Sequence, residues 1–177
     1  VQAQAGVDVQ VIRCDVSDEA SLSRALLEVR AAGPICGVVH SAGTTRDAVL
    51  RGGAAAARCQ EVWSAKARSA WLLHTLTQVD RLQVFLSFSS ITAAVGNPGQ
   101  TAYGAANAYL DGLMQSRTRA GLPGCSVQWP AISGVGMAAA TAAAFCAGVG
   151  GIMGDGSVEA RRAAARAVIA SLRAATR

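Results

Sequence analysis

Tyr103 and Asn107 stand four residues apart in Tyr103-Gly104-Ala105-Ala106-Asn107, a spacing that sets a phenol and an amide on one face of a helix. Both side chains can then reach a common cleft. For an isolated tyrosine the competing reading is a buried structural residue. Further polar groups fall at the carboxyl ends of apolar, strand-like runs, where ligands collect in an open parallel sheet. They are Asp15, the turn His40-Ser41-Ala42-Gly43, and Ser90. Taken singly, Asp15 could cap the next helix, Gly43 could serve an ordinary turn and Ser90 could end a strand. Taken together they outline one site. Of the sixteen cationic residues only Lys66 is lysine, the rest being arginine. That pattern either marks a position that needs an ammonium or reflects chance retention.

The elements that must position these groups alternate regularly. Residues 9–14 read as a buried strand, and Ser17-Asp18-Glu19 offers an N-cap and early acidic residues for a helix to about Ala31. Residues 35–40 form a second strand-like run, 54–76 are helix-rich, and 82–88 form a third strand bounded by Ser89-Ser90. After the loop Gly96-Asn97-Pro98-Gly99, a helix over 101–120 stops at Gly121-Leu122-Pro123-Gly124, and 125–129 is a fourth strand. Beyond it lie an Ala-rich stretch (137–144), a Gly-rich loop (148–156) and a helix (157–175) opened by Ser157. Strand followed by helix, repeated, predicts parallel strands joined by helical crossovers. No repeat or boundary divides residues 1–177, so a single domain is expected.

Composition sets the outer limits. With 177 residues, 51% hydrophobic, the chain is long enough to bury a core. No run approaches the length of a membrane span, and Val1-Gln2-Ala3-Gln4 resembles no secretion signal, so a cytoplasmic location away from membranes is expected. The net charge of +5 owes much to Arg161, Arg162, Arg166, Arg173 and Arg177 on the last helix, which reads as a solvated face. Nucleic acid is not an expected partner. Five widely spaced cysteines, an odd number, point to free thiols and no metal site. The glycines of 148–154 have the wrong spacing for a nucleotide loop, and no G-x-G-x-x-G follows a strand.

Over nearly its whole length the sequence resembles the ketoreductase domains of polyketide and fatty acid synthases, a branch of the short-chain dehydrogenases. Cys14-Asp15-Val16-Ser17-Asp18 is similar to that family's acidic turn at the adenine, and Gly37-Val38-Val39-His40-Ser41-Ala42-Gly43 to its strand and turn beside the cofactor ribose. Phe88-Ser89-Ser90 resembles the strand end that carries the catalytic serine, and Gly99 to Asp111 resembles the helix with the catalytic tyrosine. Typical short-chain dehydrogenases place lysine four residues after that tyrosine. The synthase ketoreductases carry asparagine there and take lysine from the preceding helix, as Asn107 and Lys66 do here.

The resemblance implies a Rossmann-like doubly wound α/β sheet and NADPH-dependent reduction of a β-ketoacyl thioester held on an acyl carrier protein, beside other synthase domains. Tyr103 would protonate the developing alkoxide, and Ser90 would orient the substrate oxygen. Lys66 would bind the nicotinamide ribose and lower the phenol pKa from its free value of ~10. Asn107 would hold Lys66 or a relay water. Asp15, Val16, His40, Ser41, Ala42 and Gly43 would join Lys66 and Tyr103 in cofactor binding. Thr45-Arg46-Asp47 stands where one stereochemical class carries Leu-Asp-Asp, and Val95 where the other carries Trp, which leans toward the first class.

Two departures matter. Trp129-Pro130-Ala131-Ile132 replaces the family's Trp-Gly-Pro-Trp, and Pro130 removes a backbone donor. The resemblance also begins just before the family's third strand, so the glycine-rich strand-helix-strand unit, of roughly 40 residues, is expected to lie outside a chain truncated at its N-terminus and its C-terminus. Two other functions compete with synthase ketoreduction: a stand-alone reductase of another carbonyl substrate, and a non-catalytic fragment that is structural or simply truncated.

Overall fold

The computed structural model describes residues 8–47 and 54–130. The expected elements at 137–144, 148–156 and 157–175, the arginines of the last helix and Ala131-Ile132 lie outside the described residues.

Helix α1 (Glu19–Ala32) begins where Asp18 accepts a hydrogen bond from the Ser21 backbone N–H at 2.7 Å. Such a cap is worth about 1 kcal/mol. One face of α1 buries Leu22 and Leu26 against Leu72, with Cys14, Val16 and Ile35 around them. Its far end is tied down by Arg30, which pairs with Asp80 through both guanidinium contacts (3.0 and 2.6 Å) and donates to the Leu76 carbonyl at 2.8 Å.

Among the described residues three parallel strands form one sheet in the order β1 (Gly37–His40), β2 (Val84–Ser90), β3 (Cys125–Trp129). The registers Val38↔Phe85 and Phe88↔Val127 bring the carboxyl ends of all three strands to one side. That edge carries His40, Ser90 and Trp129. The core beneath it joins Val38 and Phe85 to Ala70 and to Leu110, Leu113 and Met114 of α5 (Thr101–Arg119). Those three α5 positions recur at helical spacing, and their burial holds α5 on the sheet.

Between β1 and β2 the chain runs through α2 (Ala54–Trp63), a π-helical turn (Ser64–Arg68) and α3 (Ser69–Leu76). The short helix α4 (Thr92–Val95) follows β2 directly. Gly96 and Gly99 take positive φ (73° and 76°) in the loop that turns the chain into α5, a conformation that suits glycine. Gly104 lets α5 close on α4, since a Cβ there would lie 3.2 Å from the Thr92 carbonyl oxygen.

The strand expected at 9–14 does not form. A strand exists through its ladder, and among the described residues nothing pairs with this segment. Val11 is accordingly 88% exposed. The parallel α/β sheet predicted from the remaining alternation is present, with strands at 37–40, 84–90 and 125–129 and helices close to their predicted bounds. Among the described residues no helix is long and apolar enough to cross a membrane, no cluster of His, Cys, Asp and Glu could hold a metal, and the cysteines are unbridged.

Candidate active site

Lys66 lies in the π-helical turn and is 2% exposed. Its Nζ donates to the Phe88 carbonyl at 2.8 Å and stands 5.4 Å from the centre of the Tyr103 ring, within cation–π range. Burial pushes the ammonium pKa down to about 8, partly offset by the negative charge of Asp111. The methylene stem passes Gly43, where any Cβ would lie 2.9 Å from Lys66 Cε and 3.0 Å from Cγ. Only glycine leaves that channel open.

Tyr103 occupies the first turn of α5, beside the end of β2. Its phenol pKa is pushed up, chiefly by burial; Asn107 and Ser90 favour the phenolate, and the charge of Asp47 opposes it. This corrects the expectation that Lys66 would draw the phenol down. Loss of hydration outweighs the neighbouring polar groups, and the ammonium meets the ring face while hydrogen-bonding a carbonyl.

Ser90 closes β2, 8% exposed, and its Oγ accepts from the Thr92 backbone N–H at 3.2 Å. Its neighbour Ser89, on the opposite face of the strand, donates to the Asn107 carbonyl at 3.2 Å and so ties α5 to β2. Asn107 is fully buried; its Nδ2 donates to the Tyr103 carbonyl at 2.9 Å, while Oδ1 has no partner among the described residues. A buried orphan acceptor is costly unless something donates to it, as a water or an ammonium can.

A second group of expected residues lies along the same sheet edge. Asp15, Val16 and Ala42 line an open depression of ≈ 440 Å³ with Ser17, Glu61 and Ser64. Asp15 is held below the usual carboxylate range by hydrogen bonds from the Ser17 hydroxyl and backbone, at 2.7 and 2.9 Å. Arg68, at the end of the π turn, donates to the Ser17 carbonyl at 2.9 Å and links the two groups. Ser41, exposed, sits on the turn between them. His40 differs from expectation: it is 3% exposed and its Nε2 faces the Lys66 carbonyl at 3.0 Å, turned away from the depression.

Neither the π turn nor that histidine contact leaves a mark in the sequence pattern. The sequence did contain a signal for Asp47, in the Thr45-Arg46-Asp47 segment; here Asp47 accepts from Gln100 Nε2 at 2.8 Å, pinning the loop after β1 to the start of α5. The residues expected at an adenosine end (Asp15, Val16, Ala42) and those expected at a nicotinamide ribose (Lys66, Tyr103) lie along one edge, and the unpartnered Asn107 Oδ1 lies beside the second group. A dinucleotide fits this donor set at both ends.

Known proteins resemble this chain in sequence and fold. A family profile described as KR domain matches residues 1–134. The phenolphthiocerol synthesis polyketide synthase Pks15/1 of Mycobacterium marinum is 45% identical over 131 residues, which is 72% of this chain and 6% of that protein. The Pks1 synthase of Mycobacterium tuberculosis, whose name marks it as a suspected inactive phenolphthiocerol synthesis enzyme, is 44% identical over 127 residues, 71% of this chain and 8% of that protein. The chain thus spans under a tenth of these relatives' length. A solved structure of A-type ketoreductases from a modular polyketide synthase superimposes with a TM-score of 0.69 at 39% identity, covering 75% of this chain and 28% of that one. With a matching profile over three quarters of its residues and a Rossmann-like neighbour at this identity, the chain belongs to the KR domain family, the polyketide synthase ketoreductases of the short-chain dehydrogenase superfamily.

Proposed function

We propose that this chain is the catalytic half of a domain that reduces a β-ketoacyl thioester, presented on an acyl carrier protein, to the β-hydroxyacyl thioester within a polyketide synthase. The observation that carries this reading is the Lys66 ammonium lying 5.4 Å from the Tyr103 ring centre, with Ser90 two residues beyond the carbonyl that anchors it. The relatives are named as polyketide synthases, which favours that pathway over fatty acid synthesis.

NADPH, when bound, supplies the hydride. The protein's own groups handle the oxygen. Ser90 Oγ donates to the substrate carbonyl and aligns it, and Tyr103 delivers the proton as negative charge develops there. Burial, which raises the phenol pKa, keeps Tyr103 protonated and ready to donate. Lys66 stabilises the phenolate left behind and binds ribose hydroxyls, a task suited to a compact cation with rotatable donors. Asn107 Oδ1 accepts from a water or from Lys66, which reprotonates the site. Asp15, Val16 and Ala42 receive the adenosine end.

The test is a product assay on the full-length protein with a carrier-bound β-ketoacyl thioester and either NADPH or NADH. A β-hydroxyacyl product formed with NADPH is expected. Nucleotide binding with no conversion of any β-ketoacyl thioester would refute the reading.

A further inference from the structure

The π turn at Lys66 is braced from outside its own helix. Such turns are rare and recur at functional sites, because one extra residue in a turn swings the following side chains by roughly 100° relative to an unbroken α-helix. Within the turn the Ser69 N–H reaches back to both Ser64 and Lys66 carbonyls. The Lys66 carbonyl also accepts from Ser69 Oγ at 3.0 Å and faces His40 Nε2, the last residue of β1, at 3.0 Å. A carbonyl only accepts, so His40 Nε2 carries a proton and donates. Ser69 Oγ lies 3.3 Å from the same nitrogen and 2.7 Å from the Ala65 carbonyl. All of this is dry: His40 is 3% and Ser69 0% exposed. Three residues further along the same loop, Gly43 leaves room for the Lys66 stem. The end of β1 therefore grips the lysine twice, once at its backbone and once along its side chain.

We propose that His40 is a positioning residue for Lys66, its Nε2–H holding the π turn open so that the ammonium remains over Tyr103. The inference rests on the catalytic reading of Lys66 and Tyr103 given above. A histidine serves here because its ring is rigid and spans from the sheet to the helix backbone with one donor at the tip. Burial lowers its pKa and favours the neutral ring. Without that donor the turn can relax toward α-helical geometry, which rotates Lys66 away from the phenol while leaving the core of Val38, Phe85 and Leu110 in place.

The experiment uses the full-length protein and its turnover of a β-ketoacyl thioester with NADPH. Glutamine places an amide N–H where Nε2 stands, asparagine stops short of the Lys66 carbonyl, and leucine has no donor. His40→Leu and His40→Asn are expected to lower kcat about 10²-fold, the cost of misplacing a catalytic group by about 1 Å, with little change in KM. His40→Gln should recover most of that loss. If the leucine variant does not fold, the Gln and Asn pair decides alone. Asn or Leu variants that turn over like the parent, or a Gln variant as slow as the Asn variant, would overturn the role of His40. Tyr103→Phe and Lys66→Met serve as controls: full activity in both would refute the catalytic reading itself, a result distinct from failure of the His40 variants alone.

Discussion

Lys66 points its charge at the face of Tyr103 but gives its hydrogen bond to the carbonyl of Phe88, so strand β2 anchors the ammonium two residues before the serine it shares the site with. Strand end, π turn and α5 each contribute one group, and the geometry depends on all three staying in register.

The anchoring makes the lysine irreplaceable by arginine. The guanidinium is larger and planar, and the stem runs through a channel where Gly43 leaves no spare volume. Lys66→Arg should lower kcat/KM about 10²-fold, near the loss for Lys66→Met; steady-state kinetics of the two variants checks this.

A second consequence concerns pH. The folded ammonium titrates at about 8, below its free value of 10.5, so its charge is present below pH 8 and is lost above it. If the charge is needed, kcat/KM falls on an alkaline limb near pH 8, and that limb disappears in Lys66→Met. Stability moves the other way. Between the folded and unfolded pKa values the unfolded chain binds more protons, so this group's contribution to stability rises with pH across that window. A kinetic pH profile and urea midpoints at matched pH values test both statements.

Gly43→Ala separates packing from function. The glycine has no positive φ to preserve, so the nearest atoms the added methyl meets belong to the Lys66 stem, which must shift within its channel to make room. A stability loss of about 1 kcal/mol or less is expected, since the change displaces one side chain, together with about a tenfold fall in kcat. Thermal unfolding and kcat measured on the same preparation would show whether the two effects part as expected.

The Arg30–Asp80 pair, by contrast, affects stability alone. Arg30 also caps the Leu76 carbonyl, so Arg30→Ala removes charge-assisted bonds joining α1 to the end of α3, remote from Tyr103. About 2 kcal/mol of stability should be lost in denaturant unfolding, with KM unchanged.

How much of this was legible beforehand follows from what each feature depends on. The Tyr103 and Asn107 spacing and the glycine and proline stops around α5 are local, so they could be read directly. The strand at 9–14 could not be settled that way, because alternating apolar residues supply a face while a strand needs a partner's backbone. The π turn was hidden since helical periodicity over 54–76 does not distinguish a five-residue widening from an ordinary helix. Likewise the upward shift of the Tyr103 phenol comes from burial, which only the folded chain reveals. The resemblance puts His40 beside the cofactor ribose; that its ring turns inward to the Lys66 carbonyl depends on the tertiary packing of β1 against the helix.

The most direct test is a single-turnover measurement of hydride transfer to a β-ketoacyl thioester by the full-length Tyr103→Phe protein, with NADPH binding followed in the same samples. Nucleotide affinity within a few-fold of the parent is expected, with a transfer rate reduced at least about 10²-fold, the scale of losing a positioned proton donor. A parental transfer rate without the phenol would contradict the role of Tyr103.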